Sequence, residues 1–303
     1  MPKPKKGQPL DGIVLIDKPL GLSSNAALQR TKRIFNARKA GHTGSLDPLA
    51  TGVLPICFGE GTKVSAFLLS ADKRYTTTAQ LGQTRSTGDL EGEILSSRDV
   101  PILDHDTIEA VLAQFRGPIE QIPPMHSALK HEGTPLYKLA RQGISVERKV
   151  RHVTIYELNL LAFTDNTLTL DVRCSKGTYI RTLVEDIGEA LGCGAHLNDL
   201  RRTAVSPFTD YPIYTLEALE AMAEAKTLTE ALLPIDTAII TWPELHLNQE
   251  QSQRLCNGLR VDYEADIPET EGIRLYDPDA KFLGIGQRHE SGQLAAKRLM
   301  RTD

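Results

Sequence analysis

The chain has 303 residues, 40% of them hydrophobic and 24% charged, and a formal net charge of −4 at pH 7. This composition is typical of a globular protein and excludes collagen-like, coiled-coil and largely disordered chains. No apolar run approaches the roughly 20 residues that a helix needs to cross a membrane, so we expect no membrane association.

Two features of the sequence indicate a cytoplasmic protein. The four cysteines lie far apart without a C-x-x-C pair, which argues against a zinc knuckle, a redox motif and a disulfide framework. The basic, proline-rich start, MPKPKKGQPLDG, lacks the apolar core of a secretion signal. We therefore expect the reducing cytoplasm, with residues 1–11 as a flexible basic tail.

Short elements separated by turn residues are predicted in the first half of the chain. Residues 12–17 form a strand that ends at Lys18-Pro19, and Ser23 offers an N-cap for a helix that runs to about residue 35. Residues 40–52 hold too many glycines and prolines for a regular element and are predicted as a loop. Further predicted elements are strands at 53–58 and 74–81 and helices at 63–69, 107–115 and 136–142.

The second half begins with a predicted strand pair, 153–161 and 167–174, joined by a turn at Asp165-Asn166. Residues 179–191 are the clearest helix because apolar residues recur every three or four positions and Gly192 follows. Helices at 215–225 and 249–256, a connector at 228–243 and short C-terminal strands complete the prediction. Strands and helices do not alternate strictly, so we expect an α+β fold with a mixed, mainly antiparallel sheet over residues 12–244 and a small β-rich domain over 245–303.

Charge is unevenly distributed despite the small net value. Basic residues cluster in two places, and acidic residues lie mainly at 217–230 and 264–279. One face of the folded protein can therefore carry positive potential and bind a polyanion, although a solvated basic surface accounts for the same pattern. The clusters consist of Arg30, Lys32, Arg33, Arg38 and Lys39 and of Arg141, Arg148, Lys149 and Arg151.

The densest motif is GHTGSLDPLATGVLP at residues 41–55, where glycines and a proline shape the backbone around one carboxylate, Asp47. On its own, an Asp before a proline can be a turn residue that bonds its own backbone. The same placement suits a catalytic carboxylate in a loop next to a buried strand. No dinucleotide-binding or P-loop motif and no paired metal-ligating histidines occur, so we expect no cofactor and no metal.

The motif resembles, nearly residue for residue, the signature of the TruB family of tRNA pseudouridine synthases. The resemblance covers most of residues 10–207, and residues from about 245 are more weakly similar to the PUA-like RNA-binding domain of bacterial members. One departure is His126, where the family usually has tyrosine. Further matching segments are DKPLGLSS (17–24), KRY (73–75), LGQ (81–83) with Asp89 and Gly92, IPPMHSALKHEG (122–133), LYKLARQG (136–143), CSKGTYIRTL (174–183) and GCGAHLNDLRR (192–202).

The resemblance implies three catalytic residues. Asp47 corresponds to the catalytic carboxylate, and Arg181 to the cation that keeps it ionised against the effect of burial. From spacing alone, Arg181 can instead pair with Glu185 on the helix surface. Tyr75 corresponds to a tyrosine that stacks on the uracil and takes the proton from C5; a phenol pKa near 10 makes stacking the more secure of these roles.

The same resemblance implies further substrate contacts. His42 corresponds to the residue that fills the space left when the uridine leaves the base stack, although a loop histidine bonded to backbone is the alternative. Tyr179 and Leu200 correspond to positions that line the uridine pocket, and ordinary core roles are their alternative. Candidates for polar or phosphate contacts are Asp89, Lys130 and Arg202.

The reaction implied by the resemblance is isomerisation of uridine 55 in the T loop of tRNA, with the target base flipped out of the stack. The C1′–N1 bond breaks, the uracil rotates, and C5 bonds to C1′. A hydrolase would need a second carboxyl group, and a non-catalytic RNA chaperone would not need Asp47, Tyr75 and Arg181 together, although a second role as a tRNA-folding chaperone is compatible with them. We expect a monomer that binds the T arm of tRNA.

Overall fold

The computed structural model describes residues 7–265, 267 and 270–301. Most of the predicted basic tail, residues 1–6, lies outside the described residues. Gln8 is already anchored, because its backbone N–H donates to Asn36 (2.8 Å) and its carbonyl accepts from Arg38 (2.9 Å). The chain is therefore paired with the end of the first helix before its first strand begins.

A mixed sheet forms the larger part of the molecule. Its strand order is β1-β3-β12-β4-β11-β10-β7, and β2 pairs with β3 outside this path. Every pair is antiparallel except β12 with β3. The predicted α+β class with a mainly antiparallel sheet is confirmed. The strands of this sheet are β1 (Gly12–Lys18), β2 (Ala40–His42), β3 (Ala50–Phe58), β4 (Lys73–Leu81), β7 (Gly117–Gln121), β10 (Arg151–Phe163), β11 (Thr167–Cys174) and β12 (Ala195–Val205). Two separate strand pairs are β5 (Gln83–Arg85) with β6 (Ile94–Ser97) and β8 (Lys130–His131) with β9 (Thr134–Pro135).

Helices cover this sheet, and their starts follow local sequence. Ser23 caps the first helix by accepting from the Ala26 N–H, and Thr215 caps the sixth by accepting from the Ala218 N–H, as their side chains allow. The α-helices are α1 (Ser24–Ile34), α2 (Ser65–Ser70), α3 (His105–Leu112), α4 (Leu136–Ala140), α5 (Ile180–Ala190), α6 (Leu216–Ala225) and α7 (Gln249–Cys256). Short 3-10 helices are Gly59–Lys63, Ala113–Phe115, Leu228–Ala231 and Ile235–Ile239.

The apolar core is divided into separate clusters along the sheet. One cluster joins α3 and α5 to β4, β10, β11 and β12, and another joins α1 and α6 to β1 and β3. Helix α5 packs closely against the start of β12, and only glycine fits at position 188. A Cβ there would lie 2.3 Å from the backbone nitrogen of Ala195. This contact, near the end of α5, fixes the helix that carries Arg181 relative to the strand that carries Leu200.

A second, smaller sheet lies at the C-terminal end. Its order is β13-β14-β15-β16, with α7 beside it. Its first strand begins at Glu244, close to the predicted boundary at 245, which stays a prediction. The ring centroids of Phe67 and Trp242 lie 4.7 Å apart where the two sheets approach each other. The strands are β13 (Glu244–His246), β14 (Ile273–Tyr276), β15 (Phe282–Arg288) and β16 (Leu294–Leu299).

Two parts of the sequence-based prediction were wrong. Residues 40–52 were expected to be entirely loop, yet they contain β2 and the start of β3. Gly52 lies in β3 at φ +101°, where a Cβ would be 2.1 Å from the Arg202 carbonyl oxygen. Glycine is required here because β3 and β12 approach each other closely. The other part is a set of strands that the prediction omitted, β5 to β9 and β12. Of these, β12 is a central strand whose charged residues hide its alternation.

Among the residues that the structure describes, no helix has the length and apolarity needed to span a membrane.

Helix α5 offers a direct test of how the core holds the fold. Ile187 is fully buried, whereas Ile102 is fully exposed. Truncating a buried isoleucine to alanine removes apolar contacts and leaves a cavity, so Ile187→Ala should lower the free energy of unfolding by about 2–5 kcal/mol. Ile102→Ala is the matched control and should change it by less than about 0.5 kcal/mol. Urea denaturation of both variants measures the difference; equal losses would contradict this account of the core.

Candidate active site

Asp47 lies in a loop between β2 and β3 that is held from several sides. The Pro48 carbonyl accepts from the backbone N–H of Gly21 at 2.8 Å and from Lys18 Nζ at 3.4 Å. The Gly44 carbonyl accepts from Arg202 Nη2 at 3.1 Å. The Asp47 side chain remains 50% exposed, so the loop is fixed while its carboxylate stays accessible.

Arg181, in the first turn of α5, holds that carboxylate. Its Nη2 lies 3.1 Å from Asp47 Oδ2 and its Nη1 lies 3.6 Å from Asp89 Oδ2. The same two nitrogens donate to the carbonyls of His126 (2.7 Å) and Thr87 (2.9 Å). With a side chain only 8% exposed, the guanidinium has a single orientation, in which its charge faces Asp47.

The helix-surface alternative for Arg181 does not hold. No ion pair joins it to Glu185 within the described part of the chain. Glu185 instead lines a separate cavity of about 600 Å³, together with Asp186, Thr87 and Gln121. Burial, together with the nearby charge of Asp186, raises the pKa of Glu185 to about 7.

Tyr75 is the third residue of β4, on the face that alternation buries. It is 9% exposed and pairs across the strands with Arg202 of β12. Burial raises the pKa of its phenol above the ordinary value, although the Arg202 charge acts in the opposite direction. At neutral pH the side chain is therefore an uncharged phenol with an aromatic face next to the site.

A cavity of about 300 Å³ brings the central candidates together. Asp47 and Arg181 stand at one wall, Tyr75 and Leu200 come from the sheet, and Tyr179 lies at the start of α5. The backbone N–H of Tyr179 donates to Gln121 Oε1 at 3.0 Å, which fixes the turn before α5. An accessible carboxylate, a buried cation and aromatic and aliphatic surface therefore face one enclosed space, as a small-molecule or base pocket requires.

Arg202 also lines this cavity, but it is 1% exposed. Its Nε donates to the Val53 carbonyl at 2.7 Å and its Nη2 to Gly44. These bonds use its guanidinium to join β12 to the Asp47 loop. The sequence suggested a phosphate contact for this residue; the structure gives it a place within the protein interior.

Three other candidates do not line the cavity. His42 ends β2, its Nδ1 is buried without a partner in the described structure, and burial together with the Arg202 charge lowers its pKa. Asp89 is buried behind Arg181 and accepts from Thr87 Oγ1 (2.5 Å) and the Glu91 N–H (3.1 Å). Lys130 is exposed and lines another cavity, of about 480 Å³, that contains Arg148, Lys149 and Arg151.

Two buried lysines near the site were not singled out from the sequence. Lys18 donates to the carbonyls of Pro19 (2.8 Å) and Leu22 (2.7 Å) besides Pro48, and burial lowers its pKa to about 8 while the Asp47 charge raises it. Lys73 lines the cavity and donates to the carbonyls of Leu68, Leu69 and Ala71. Burial, with the Arg202 charge, lowers its pKa to about 8. Lys18 ends β1 and Lys73 begins β4, and neither strand sequence indicates a buried cation.

Within the described residues, no group of three or more histidine, cysteine, aspartate or glutamate side chains is placed to hold a metal ion.

Family models match almost the whole chain. The model described as TruB family pseudouridylate synthase (N terminal domain) matches residues 32–180. A tRNA pseudouridylate synthase B C-terminal domain matches residues 181–240, and a domain described as Pseudouridine synthase II TruB, C-terminal, matches residues 243–300. The last of these coincides with the small C-terminal sheet.

Curated relatives are similar over their full length. The tRNA pseudouridine synthase B of Pseudomonas fluorescens is 54% identical over 297 residues, 97% of each chain. The enzyme of the same name from Chromohalobacter salexigens is 50% identical over 303 residues, 100% of this chain and 98% of its own. That from Pasteurella multocida is 51% identical over 307 residues, 99% of each.

Solved structures with a similar fold cover nearly the whole chain. A chain from the crystal structure of a Cbf5-Nop10-Gar1 complex is 25% identical with a TM-score of 0.72, covering 96% of this chain and 84% of its own. A chain from an H/ACA RNP bound to a substrate RNA containing 2′-deoxyuridine has the same fold, with a TM-score of 0.73 at 22% identity, covering 100% and 92%. Because family models match three successive segments and full-length relatives are 50–54% identical, the chain belongs to the TruB family of pseudouridylate synthases.

Proposed function

We propose that this pseudouridine synthase isomerises uridine 55 in the T loop of tRNA to pseudouridine, with Asp47 as the catalytic carboxylate. The observation that carries the proposal is the 3.1 Å contact between Arg181 and a half-exposed Asp47 at the wall of a cavity that also contains Tyr75. The names of the full-length relatives, tRNA pseudouridine synthase B, support tRNA as the substrate.

The reaction breaks the C1′–N1 bond, turns the uracil in place and joins C5 to C1′, while N1 gains a proton and C5 loses one. Nothing else enters or leaves. Asp47 can attack C1′, remove a proton from the sugar or add to the base, and each route starts from the carboxylate anion. Arg181 favours that anion because an opposite charge at hydrogen-bonding distance stabilises the ionised form.

Tyr75 and Leu200 would hold the base while it turns. Both line the cavity from neighbouring strands, and an aromatic face with an aliphatic side chain beside it suits a flat, uncharged pyrimidine. The raised pKa of Tyr75 keeps its phenol protonated, and this supports stacking as its first role. A protonated phenol can accept the C5 proton only if it gives up its own proton at the same time. His42 would fill the space that the flipped uridine leaves in the RNA, and the lowered pKa keeps it uncharged.

Binding of the RNA backbone would use the basic surface beside the cavity. Arg151, His152 and Lys176 line a cavity of about 440 Å³ that shares Leu69 and Gly177 with the candidate site. Lys130 belongs to the adjoining basic cavity. Phosphate contacts from such side chains can offset the few kcal/mol that base flipping costs.

The chain would act as a monomer in the cytoplasm. Its four cysteines are free thiols, three of them buried, which suits a reducing compartment.

The proposal is tested by incubating the purified protein with an unmodified tRNA transcript and mapping modified nucleosides. Pseudouridine should form at position 55, and a transcript with cytidine at that position should stay unmodified. Unchanged RNA despite tight binding would favour a chaperone, and free uracil would favour a hydrolase; either result would overturn the proposed reaction.

Replacing the carboxylate tests the role of Asp47. Asp47→Asn keeps the size of the side chain but removes the charge that Arg181 binds, so it should form no pseudouridine above background while tRNA binding stays within about tenfold, or about 1.4 kcal/mol. Asp165→Asn, in an exposed turn, makes the same chemical change and should retain full turnover. Product mapping and filter binding measure the two effects, and normal turnover by Asp47→Asn would refute the assignment.

Removing one hydroxyl separates the two roles of Tyr75. Tyr75→Phe keeps the ring and should bind tRNA within about tenfold, but it should lose turnover because the hydroxyl no longer carries the C5 proton. Tyr156→Phe, at an exposed tyrosine whose hydroxyl lies 3.4 Å from Asp72 Oδ1, is the matched control. Single-turnover assays decide the question: a fully active Tyr75→Phe enzyme would restrict Tyr75 to stacking.

A further inference from the structure

The serine that ends the DKPLGLSS segment, Ser24, has no role in the function described so far. It is the first residue of α1 and is 4% exposed. Its hydroxyl points away from the helix and contacts the loop that carries Asp47. The Leu46 N–H donates to Ser24 Oγ at 2.7 Å, and Ser24 Oγ donates to the Leu46 carbonyl at 2.9 Å.

Leu46 immediately precedes Asp47, so these two bonds act on the backbone next to the carboxylate. The Leu46 carbonyl belongs to the peptide group that contains the Asp47 nitrogen. One hydroxyl therefore fixes the peptide groups on both sides of Leu46 and, with them, the position from which the Asp47 side chain leaves the backbone. Leu46 is itself 6% exposed, so little water is available to replace the serine.

We propose that Ser24 is a positioning residue for the isomerisation: its hydroxyl holds both backbone groups of Leu46 and thereby keeps the Asp47 carboxylate in the catalytic geometry. The inference rests on the proposed function of Asp47. The other supports of the loop act at Gly44 through Arg202 and, on the other side of Asp47, at the Pro48 carbonyl through Lys18 and Gly21. Ser24 is distinguished by holding both the N–H and the carbonyl of the residue before Asp47 with one side chain.

The neighbouring serine provides a matched control. Ser23 Oγ accepts from the Ala26 N–H at 3.1 Å in an exposed position and caps α1. Ser23→Ala therefore weakens the helix end without touching the loop, whereas Ser24→Ala removes both bonds to Leu46. The pair separates a general effect of α1 stability from a specific effect on Asp47.

Ser24→Ala should lower the single-turnover rate on tRNA by about 10- to 100-fold, the range expected when a catalytic group is displaced by about 1 Å. The KM and the tRNA dissociation constant should stay within about threefold, because the RNA-binding surface is unchanged. Ser24→Cys fills the space of the hydroxyl with a weak hydrogen-bonding group and should show the same loss, which excludes a simple cavity effect. Ser23→Ala should keep the wild-type rate.

Hydrogen exchange supplies a readout that does not depend on activity. The Leu46 amide should exchange at least about tenfold faster in Ser24→Ala than in the wild type or in Ser23→Ala, because local opening of the loop no longer breaks its bonds to serine. Unchanged exchange, an unchanged turnover rate, or equal loss of turnover and tRNA binding in Ser24→Ala would each overturn the proposal. A wild-type chain without turnover would instead refute the proposed function, and exchange at Leu46 would still decide whether Ser24 holds the loop.

Discussion

The arrangement of the site depends on one guanidinium, that of Arg181. Its two terminal nitrogens face Asp47 and Asp89 and donate to two backbone carbonyls. A buried charge is costly unless it is paired and fully hydrogen-bonded, and Arg181 meets that condition only when separate segments of the chain converge on it. The same requirement that stabilises the arginine therefore places the Asp47 loop against the start of α5.

The sheet supplies the other half of the geometry. Strands β4 and β12 are neighbours, and their register sets Arg202 opposite Tyr75 and Leu200 opposite Thr77. Residues of both strands therefore line one cavity, and the first turn of α5 adds Arg181 to its wall. Parallel pairing of β12 with β3 sets Leu200 opposite Ala50, close to the end of the Asp47 loop. The cavity lies where these elements meet, so no single element could form it.

The parts of the fold and of the site that could be predicted are those set by residues close together in the sequence. Helix α5 and strands β1, β4, β10 and β11 were predicted because apolar periodicity and turn residues are local signals. Strand β12 was missed, since Asp199, Arg201 and Arg202 hide its alternation, and Arg202 is buried only because distant carbonyls accept its hydrogens. Asp47 was identified from a motif, but its separation from Arg181 by more than 130 positions in the chain made their contact invisible to spacing alone.

The buried cations show why a half-exposed carboxylate can stay in place. Lys18, Lys73 and Arg202 each bind backbone carbonyls, and burial lowers the pKa of both lysines to about 8. Burying these positive charges near the cavity is therefore unfavourable. The negative charge of Asp47 offsets part of that cost at Lys18, because it raises the pKa of this lysine. Carbonyl bonds hold these cations in place and Arg181 is held by its own partners, so fixed positive charge surrounds a carboxylate that itself faces the cavity. Because the buried cations and the Asp47 loop are fixed to one another through these contacts, the proposed base flipping requires the RNA nucleotide to move to the carboxylate rather than the carboxylate to the nucleotide.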